Sequence, residues 1–196
     1  EPVGLDDVYV VPSGGGSPKM LAETPDRSSR LVGWSNNSER IYLTETVRTS
    51  THVIALPRDG APARQVSTGE GVIRNVSLSP VAGRLAFTYE KTETPAEVHI
   101  SSVSTFGAKQ LTEVNRNVPK PPMGRTDLIQ WESTGGFEID GLLTYPVGYE
   151  AGKTYPLVLN VHGGPAGAFT QSFTGNPSTY MIQTFAQKGY AVLRPN

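Results

Sequence analysis

The sequence predicts two incomplete architectures in one chain: all-β blades of a propeller, then the start of an α/β domain on a mostly parallel sheet. Three observations carry that expectation. Short β-rich runs recur every 45 residues through the first half. A polar, Pro-rich stretch then breaks the period. Beyond it, an apolar strand-like run ends in a Gly-rich loop, and a helix pattern and a second apolar run follow.

The repeat is read from matched landmarks. Val8, Val53 and Val98 lie in the runs Val8–Val11, Val53–Leu56 and Val98–Ile100, in steps of 45 residues. Each run leads into a turn: Pro12-Ser13-Gly14-Gly15-Gly16, Pro57-Arg58-Asp59-Gly60 and Ser104-Thr105-Phe106-Gly107. An apolar residue closes each unit at Leu21, Val66 and Leu111, again 45 apart. Between them, Trp34 to Leu43 and Leu78 to Phe87 form two copies of a turn-plus-strand unit, offset by 44. A period near 45 with four short strands per unit is the spacing of a propeller blade; a β-sandwich with coincidental spacing is the alternative. About two and a half blades are legible, so the other blades are expected before Glu1, with the chain starting inside a longer protein. Glu1-Pro2-Val3-Gly4 has neither the basic nor the apolar region of a signal peptide.

After Leu111 the pattern changes. Asn115 to Pro122 is polar and Pro-rich, cannot pair as a central strand, and reads as a stiff linker. Ile129–Glu132 and Phe137–Tyr145 alternate at period two around Ser133-Thr134-Gly135-Gly136, a hairpin signal. Tyr155–Val161 is nearly continuous in apolar residues, as expected of a strand buried on both faces. Asn176-Pro177 reads as an N-cap with Pro at the first helical position. Met181, Ile182, Phe185 and Ala186 make one apolar stripe, and Gly189 stands at the C′ position. Tyr190–Leu193 is the returning strand of a βαβ unit. The expected divisions are 1–118 for the blades, 119–127 for the linker and 128–196 for the α/β part.

Bulk composition narrows the function classes. The 17 Lys plus Arg balance 18 Asp plus Glu, for a net charge of −1, so no basic stripe argues for nucleic acid. There is no cysteine, which excludes disulfides, Cys-based zinc sites and a thiol nucleophile. No apolar stretch approaches the ~18 residues of a membrane span. His52, His99 and His162 are the only histidines and share no short spacing, so no metal site is expected. Ser13–Ser17 lacks the Lys and the helix of a phosphate loop, and no cofactor is expected. Trp34 and Trp131 read as packing residues. Asp6, Asp7 and Asp26 read as turn residues. Glu90, Glu93 and Glu97 read as a solvated loop, with recognition of a peptide amine as the sharper alternative.

The chemistry is concentrated in His162-Gly163-Gly164-Pro165. Acyl transfer builds negative charge on a carbonyl oxygen, and donors fixed in advance stabilise it. Gly163 and Gly164 lack a Cβ and can turn their amides towards a substrate. Pro165 has no N–H and restricts Gly164 to extended backbone. Gly164 is therefore the favoured donor, with Gly163 beside it. His162 shapes the loop, since the general base of an α/β-hydrolase follows its nucleophile in chain order.

Leu142-Leu143-Thr144-Tyr145-Pro146, Tyr155 to Pro165, and Lys188 to Asn196 together resemble the opening of the catalytic domain of the prolyl oligopeptidase family. The nearer likeness is to its acylaminoacyl-peptidase and dipeptidyl-aminopeptidase branch. It covers residues 127–196 through these motifs and 1–118 through the propeller period. The resemblance implies an α/β-hydrolase start and a serine peptidase acting on short peptides through an acyl-enzyme, with the propeller restricting access. It also implies an oxyanion-hole role for the His162, Gly163, Gly164 loop. Nucleophile, acid and base are expected beyond Asn196. No Gly-x-Ser-x-Gly occurs in the chain, no serine here is read as catalytic, and this stretch alone is expected to be inactive and marginally stable. The expected partners are a peptide substrate and the remaining blades and hydrolase domain of the parent chain. Two alternatives stay open: an esterase of the same fold, and a non-catalytic propeller scaffold. Cleavage specificity, oligomeric state and compartment are not legible.

Overall fold

The computed structural model describes residues 5–164, 167–177 and 180–196. The chain forms two compact units. The first holds residues 1–89 and 97–113, and the second holds 90–96 and 114–196.

In the first unit, β1 (Tyr9–Val10) pairs antiparallel with β2 (Lys19–Met20). A four-strand meander follows: β3 (Arg30–Trp34), β4 (Arg40–Val47), β5 (Ser50–Pro57) and β6 (Arg64–Gln65). A second meander runs through β7 (Val72–Ser79), β8 (Arg84–Lys91), β9 (Thr94–Ser102) and β10 (Lys109–Gln110). The meanders join through a parallel pairing of Thr51 with Val72.

The 45-residue period of the sequence is also a period of register. Tyr9 faces Met20, Ile54 faces Gln65, and His99 faces Gln110. Leu21 N–H donates to Val8 O at 2.9 Å, Val66 to Val53 and Leu111 to Val98 at 2.8 Å each. The apolar residue that closes each unit is thus the one whose amide ends the outer strand pair. These elements are repeated antiparallel meanders, and a closed propeller is not among them.

Burial in the first unit follows from the alternation along β5. Val53 and Ala55 face one cluster with Tyr42, Ile73, Leu85 and Phe87, while Ile54 and Leu56 face another with Ile41, Leu43 and Leu21. The first meander is therefore sandwiched between its two neighbours, and all four β5 residues are buried. Each buried aliphatic side chain of this kind contributes about 1.5–3 kcal/mol.

Two buried polar pairs lie inside this unit. Glu45 Oε1 accepts from Thr24 Oγ1 at 2.6 Å, and His52 Nδ1 lies 3.1 Å from Ser67 Oγ. Burial holds the His52 pKa below its ordinary 6.5. The unfolded chain then takes up a proton that the folded chain resists, so stability falls as pH drops below about 6.5 and is fully present above it. Melting at about pH 7.5 and about pH 5.5 should show a lower Tm at the acid value, with the difference reduced in His52→Asn. An unchanged slope in that variant would dismiss His52 as the cause.

In the second unit, β11 (Thr126–Glu132) and β12 (Glu138–Thr144) form the expected hairpin. Its turn closes with Ser133 N–H on Phe137 O at 2.7 Å. The Trp131 ring lies over Gly141, where a Cβ would meet it at 2.6 Å. β13 (Leu157–Leu159), α1 (Ile182–Gln187) and β14 (Ala191–Pro195) complete the unit. The sheet order is β11-β12-β14-β13, with β14 antiparallel to β12 and parallel to β13. The strand–helix–strand reading therefore holds.

Three expectations are corrected. The apolar run at Tyr155–Val161 yields only a three-residue strand, and it lies at the sheet edge. Leu157, Leu159 and Val161 are 57%, 58% and 63% exposed rather than buried on both faces. Asn176 does not cap the helix, which starts after Met181 (φ 39°) with no side-chain cap. Its first turn is anchored instead by buried Ile182 and Gln183. Trp34, read as a packing residue, keeps 39% of its surface exposed at the end of β3 and is not part of the buried core. The C-terminal end of the helix is as expected. Gly189 (φ 84°) follows the cap, with Gly189 N–H on Ala186 O at 3.2 Å and Tyr190 N–H on Phe185 O at 3.1 Å. The Phe185 and Tyr190 rings meet at 5.9 Å, the apolar contact that accompanies a Schellman end.

Gln183 fixes the segment that leads into β11. Its Oε1 accepts from Gly124 N–H at 2.8 Å, and its Nε2 donates to Gly124 O at 3.1 Å and to Thr174 Oγ1 at 2.8 Å. Among the described residues, no helix is long and apolar enough to cross a membrane.

Candidate active-site loop

The loop begins where β13 ends. Asn160 N–H still donates to Leu193 O at 2.8 Å, so the parallel pairing continues one residue past the strand. The chain then leaves the sheet at its carboxyl edge, and Val161, His162, Gly163 and Gly164 follow. Because β13 and β14 run parallel, the carboxyl ends of both strands lie at that edge, where open α/β sheets place their ligands.

Gly163 and Gly164 are both exposed. Gly164 takes φ 125°, on the positive side that glycine enters freely, rather than the ordinary extended backbone expected before proline. Pro165 itself lies outside the described residues. Among the described residues, a Cβ on Gly163 would meet nothing within 4 Å. Among the described residues, neither glycine amide donates to a backbone acceptor. A Cβ on Gly167 would come within 2.3 Å of Gly163 O. Gly167 is thus the residue that lets the returning chain close on the loop, and the sequence reading passed over it.

His162 does not point to a base–nucleophile arrangement. Its Nδ1 lies 3.3 Å from Gly163 O, and its ring meets Phe169 edge-on at 5.6 Å. Phe169 is itself pinned by a residue far along the chain. Asn196 Oδ1 accepts from Phe169 N–H at 2.6 Å, and Asn196 Nδ2 donates to Phe169 O at 2.9 Å. One amide side chain thus pairs both backbone groups, as a neighbouring strand would. Asn196 N–H donates to Asp140 O at 2.8 Å, which holds the clamp to the sheet. The sequence carried one hint of this, two aromatics, Phe169 and Phe173, within the otherwise small and polar run after the glycines.

The acidic cluster is corrected here. Glu90 and Glu97 are buried rather than solvated. Glu90 Oε2 accepts from Phe173 N–H at 3.3 Å, and exposed Glu93 accepts through Oε1 from Thr126 N–H at 3.1 Å. Within the first unit, Glu97 Oε2 accepts from Thr112 Oγ1 at 2.5 Å. These carboxylates are occupied by backbone amides and a hydroxyl. His99 stacks on Phe87 at 6.1 Å and meets Tyr89 edge-on at 5.4 Å.

No family model matches the chain. Among curated proteins it is 29% identical to uncharacterized peptidase YuxL of Bacillus subtilis, over 83% of this chain and 24% of that protein. It is 23% identical to dipeptidyl-peptidase 5 of Trichophyton equinum, over 96% of this chain and 26% of that protein. These relatives are peptidases, consistent with the resemblance to the prolyl oligopeptidase family. Among solved structures, the acylaminoacyl peptidase of Pyrococcus horikoshii superposes with a TM-score of 0.65 at 22% identity, over 86% of this chain and 25% of that one. That likeness is one of fold. The chain spans about a quarter of the length of the curated peptidases that it matches.

Proposed function

We propose that the chain is part of a serine peptidase that hydrolyses short peptides through an acyl-enzyme, releasing aminoacyl, dipeptidyl or acylaminoacyl groups. In this reading the 45-residue meanders belong to a propeller that restricts access, and the second unit opens an α/β-hydrolase domain. The supporting observation is the pair of exposed glycine amides at Gly163 and Gly164, directly after a parallel strand and without backbone acceptors among the described residues.

The chemistry follows from charge development. A serine hydroxyl, deprotonated by a histidine, attacks the scissile carbonyl carbon and converts its oxygen to an alkoxide. The Gly164 amide, with Gly163 beside it, donates to that oxygen as the charge forms. The histidine then gives that proton to the departing nitrogen as the adduct collapses, which releases the amine and leaves the acyl-enzyme for water to hydrolyse. His162 packs on Phe169 and holds the loop, while the nucleophile, acid and base belong to chain beyond Asn196. Residues 1–196 alone therefore turn over no substrate.

The names of the relatives favour peptide amides over simple esters as substrates. The test compares the full-length protein on aminoacyl, dipeptidyl and acylaminoacyl amides with its action on simple alkyl esters, before and after a serine-directed fluorophosphonate. Amide hydrolysis abolished by the reagent is expected. Ester hydrolysis alone, or amide hydrolysis indifferent to the reagent, would overturn the proposal.

A further inference from the structure

The strongest unexplained group in the second unit is Arg194. It occupies the middle strand pair of the sheet on β14 and is only 4% exposed. Its Nε and Nη2 are buried and find no hydrogen-bond partner among the described residues. The Phe169 ring lies 5.7 Å from its guanidinium carbon. A buried charge is ordinarily paired, because an unpaired one carries its full desolvation cost. That cost is visible in the arginine itself, whose pKa is pushed down to about 10 by burial. The group nevertheless stays cationic at neutral pH.

Arg194 lines a cavity of about 250 Å³. The walls combine aromatic and aliphatic side chains, Phe169, Phe173, Tyr180 and Ile182, with hydroxyls from Thr170 and Ser172. We propose that this cavity is a carboxylate-binding site, in which Arg194 receives the free carboxylate of a peptide ligand and the aromatic walls receive its adjoining side chain.

Two features favour a carboxylate. The unpaired Nε and Nη2 share one edge of the planar guanidinium, the edge that holds a carboxylate through two parallel N–H···O bonds. Arg194 is itself one of the residues that line the cavity. Glu90, whose Oε2 accepts from the Phe173 amide, places a negative charge beside the wall and disfavours a multiply charged phosphate. Phe169 connects the two sites, touching Arg194 on one side and His162 on the other. A peptide seated here would thus be held next to the glycine loop. The identity of the ligand as a peptide rests on the function proposed above; the carboxylate site does not.

The test is a binding measurement, so that absence of peptidase activity leaves it unaffected. N-acetyl-glycyl-phenylalanine and its C-terminal amide are titrated calorimetrically into the full-length protein. The acid should bind about tenfold tighter or better, as for a charge-assisted bidentate contact. Arg194→Met should erase the difference, and Arg194→Lys should retain part of it. Equal binding of acid and amide by the unsubstituted protein would overturn the site. So would discrimination that survives in Arg194→Met, or an acid that fails to bind because a carboxylate of the parent protein already occupies the arginine. The acid-to-amide ratio of the unsubstituted protein decides the matter even if Arg194→Met does not fold.

Discussion

Gly124→Ala is expected to cost about 3 kcal/mol or more, enough to unfold a marginal unit. A Cβ at this position would lie 1.9 Å from Tyr145 O and 2.9 Å from the Ala186 Cβ. Neither atom belongs to a flexible side-chain tip. Tyr145 N–H donates to Arg125 O at 2.9 Å, so relieving the clash by moving Tyr145 would strain its backbone pairing. Moving residue 124 instead would break both of its bonds to Gln183. Chemical denaturation of the substituted protein should show a lower midpoint with little change in slope. Gly163→Ala is the control, since a methyl there meets nothing within 4 Å among the described residues. A Gly124→Ala variant as stable as that control would contradict the close approach.

The largest expected effect on activity is at Gly164. Its φ of 125° is strained for alanine, so Gly164→Ala should turn the peptide and misdirect the amide. Loss of one oxyanion donor lowers kcat about 10²–10³-fold, or about 2.7–4 kcal/mol. In the full-length protein, Gly164→Ala should show that loss with KM within about threefold, because the interaction strengthens only as charge develops. Gly163→Ala keeps both amides and should stay within about tenfold of the parent. Equal kcat for Gly164→Ala and the parent would remove this loop from the chemistry.

The two halves of the chain were legible to different depths. The 45-residue repeat was readable because it is periodic in sequence and in hydrogen bonding at once. Val8, Val53 and Val98 are the residues whose carbonyls accept the closing bonds, so identity and position carried the same message. The hairpin at residues 133–136 and the Gly189 helix end were readable for the related reason that both depend on glycines at positive φ.

What escaped was set by distant neighbours. An apolar run such as Tyr155–Val161 announces a strand, but not how many strands flank it. Asn176-Pro177 is a sound local start signal, yet burial of Ile182 and Gln183 decided where the helix begins. Buried acids at Glu90 and Glu97 look no different in sequence from solvated ones. The clamps escaped for the same reason. Asn196 meets Phe169 across 27 residues, and Gln183 meets Gly124 across 59, separations at which no short pattern survives.

The turn joining β8 to β9 has a consequence for dissecting the molecule. Residues 90–96 lie between two stretches of the first unit yet are members of the second. There Thr92 O receives the Thr174 amide at 2.9 Å and its hydroxyl at 2.8 Å, and Asn115 Nδ2 donates to Ala96 O at 2.8 Å. The polypeptide therefore crosses the boundary at 89/90, 96/97 and 113/114. A scissile point after 113 would not liberate a self-sufficient C-terminal piece. It would carry away seven borrowed residues and orphan the donors that lean on them, so expression of either half calls for redrawing the cut rather than trusting the linear map.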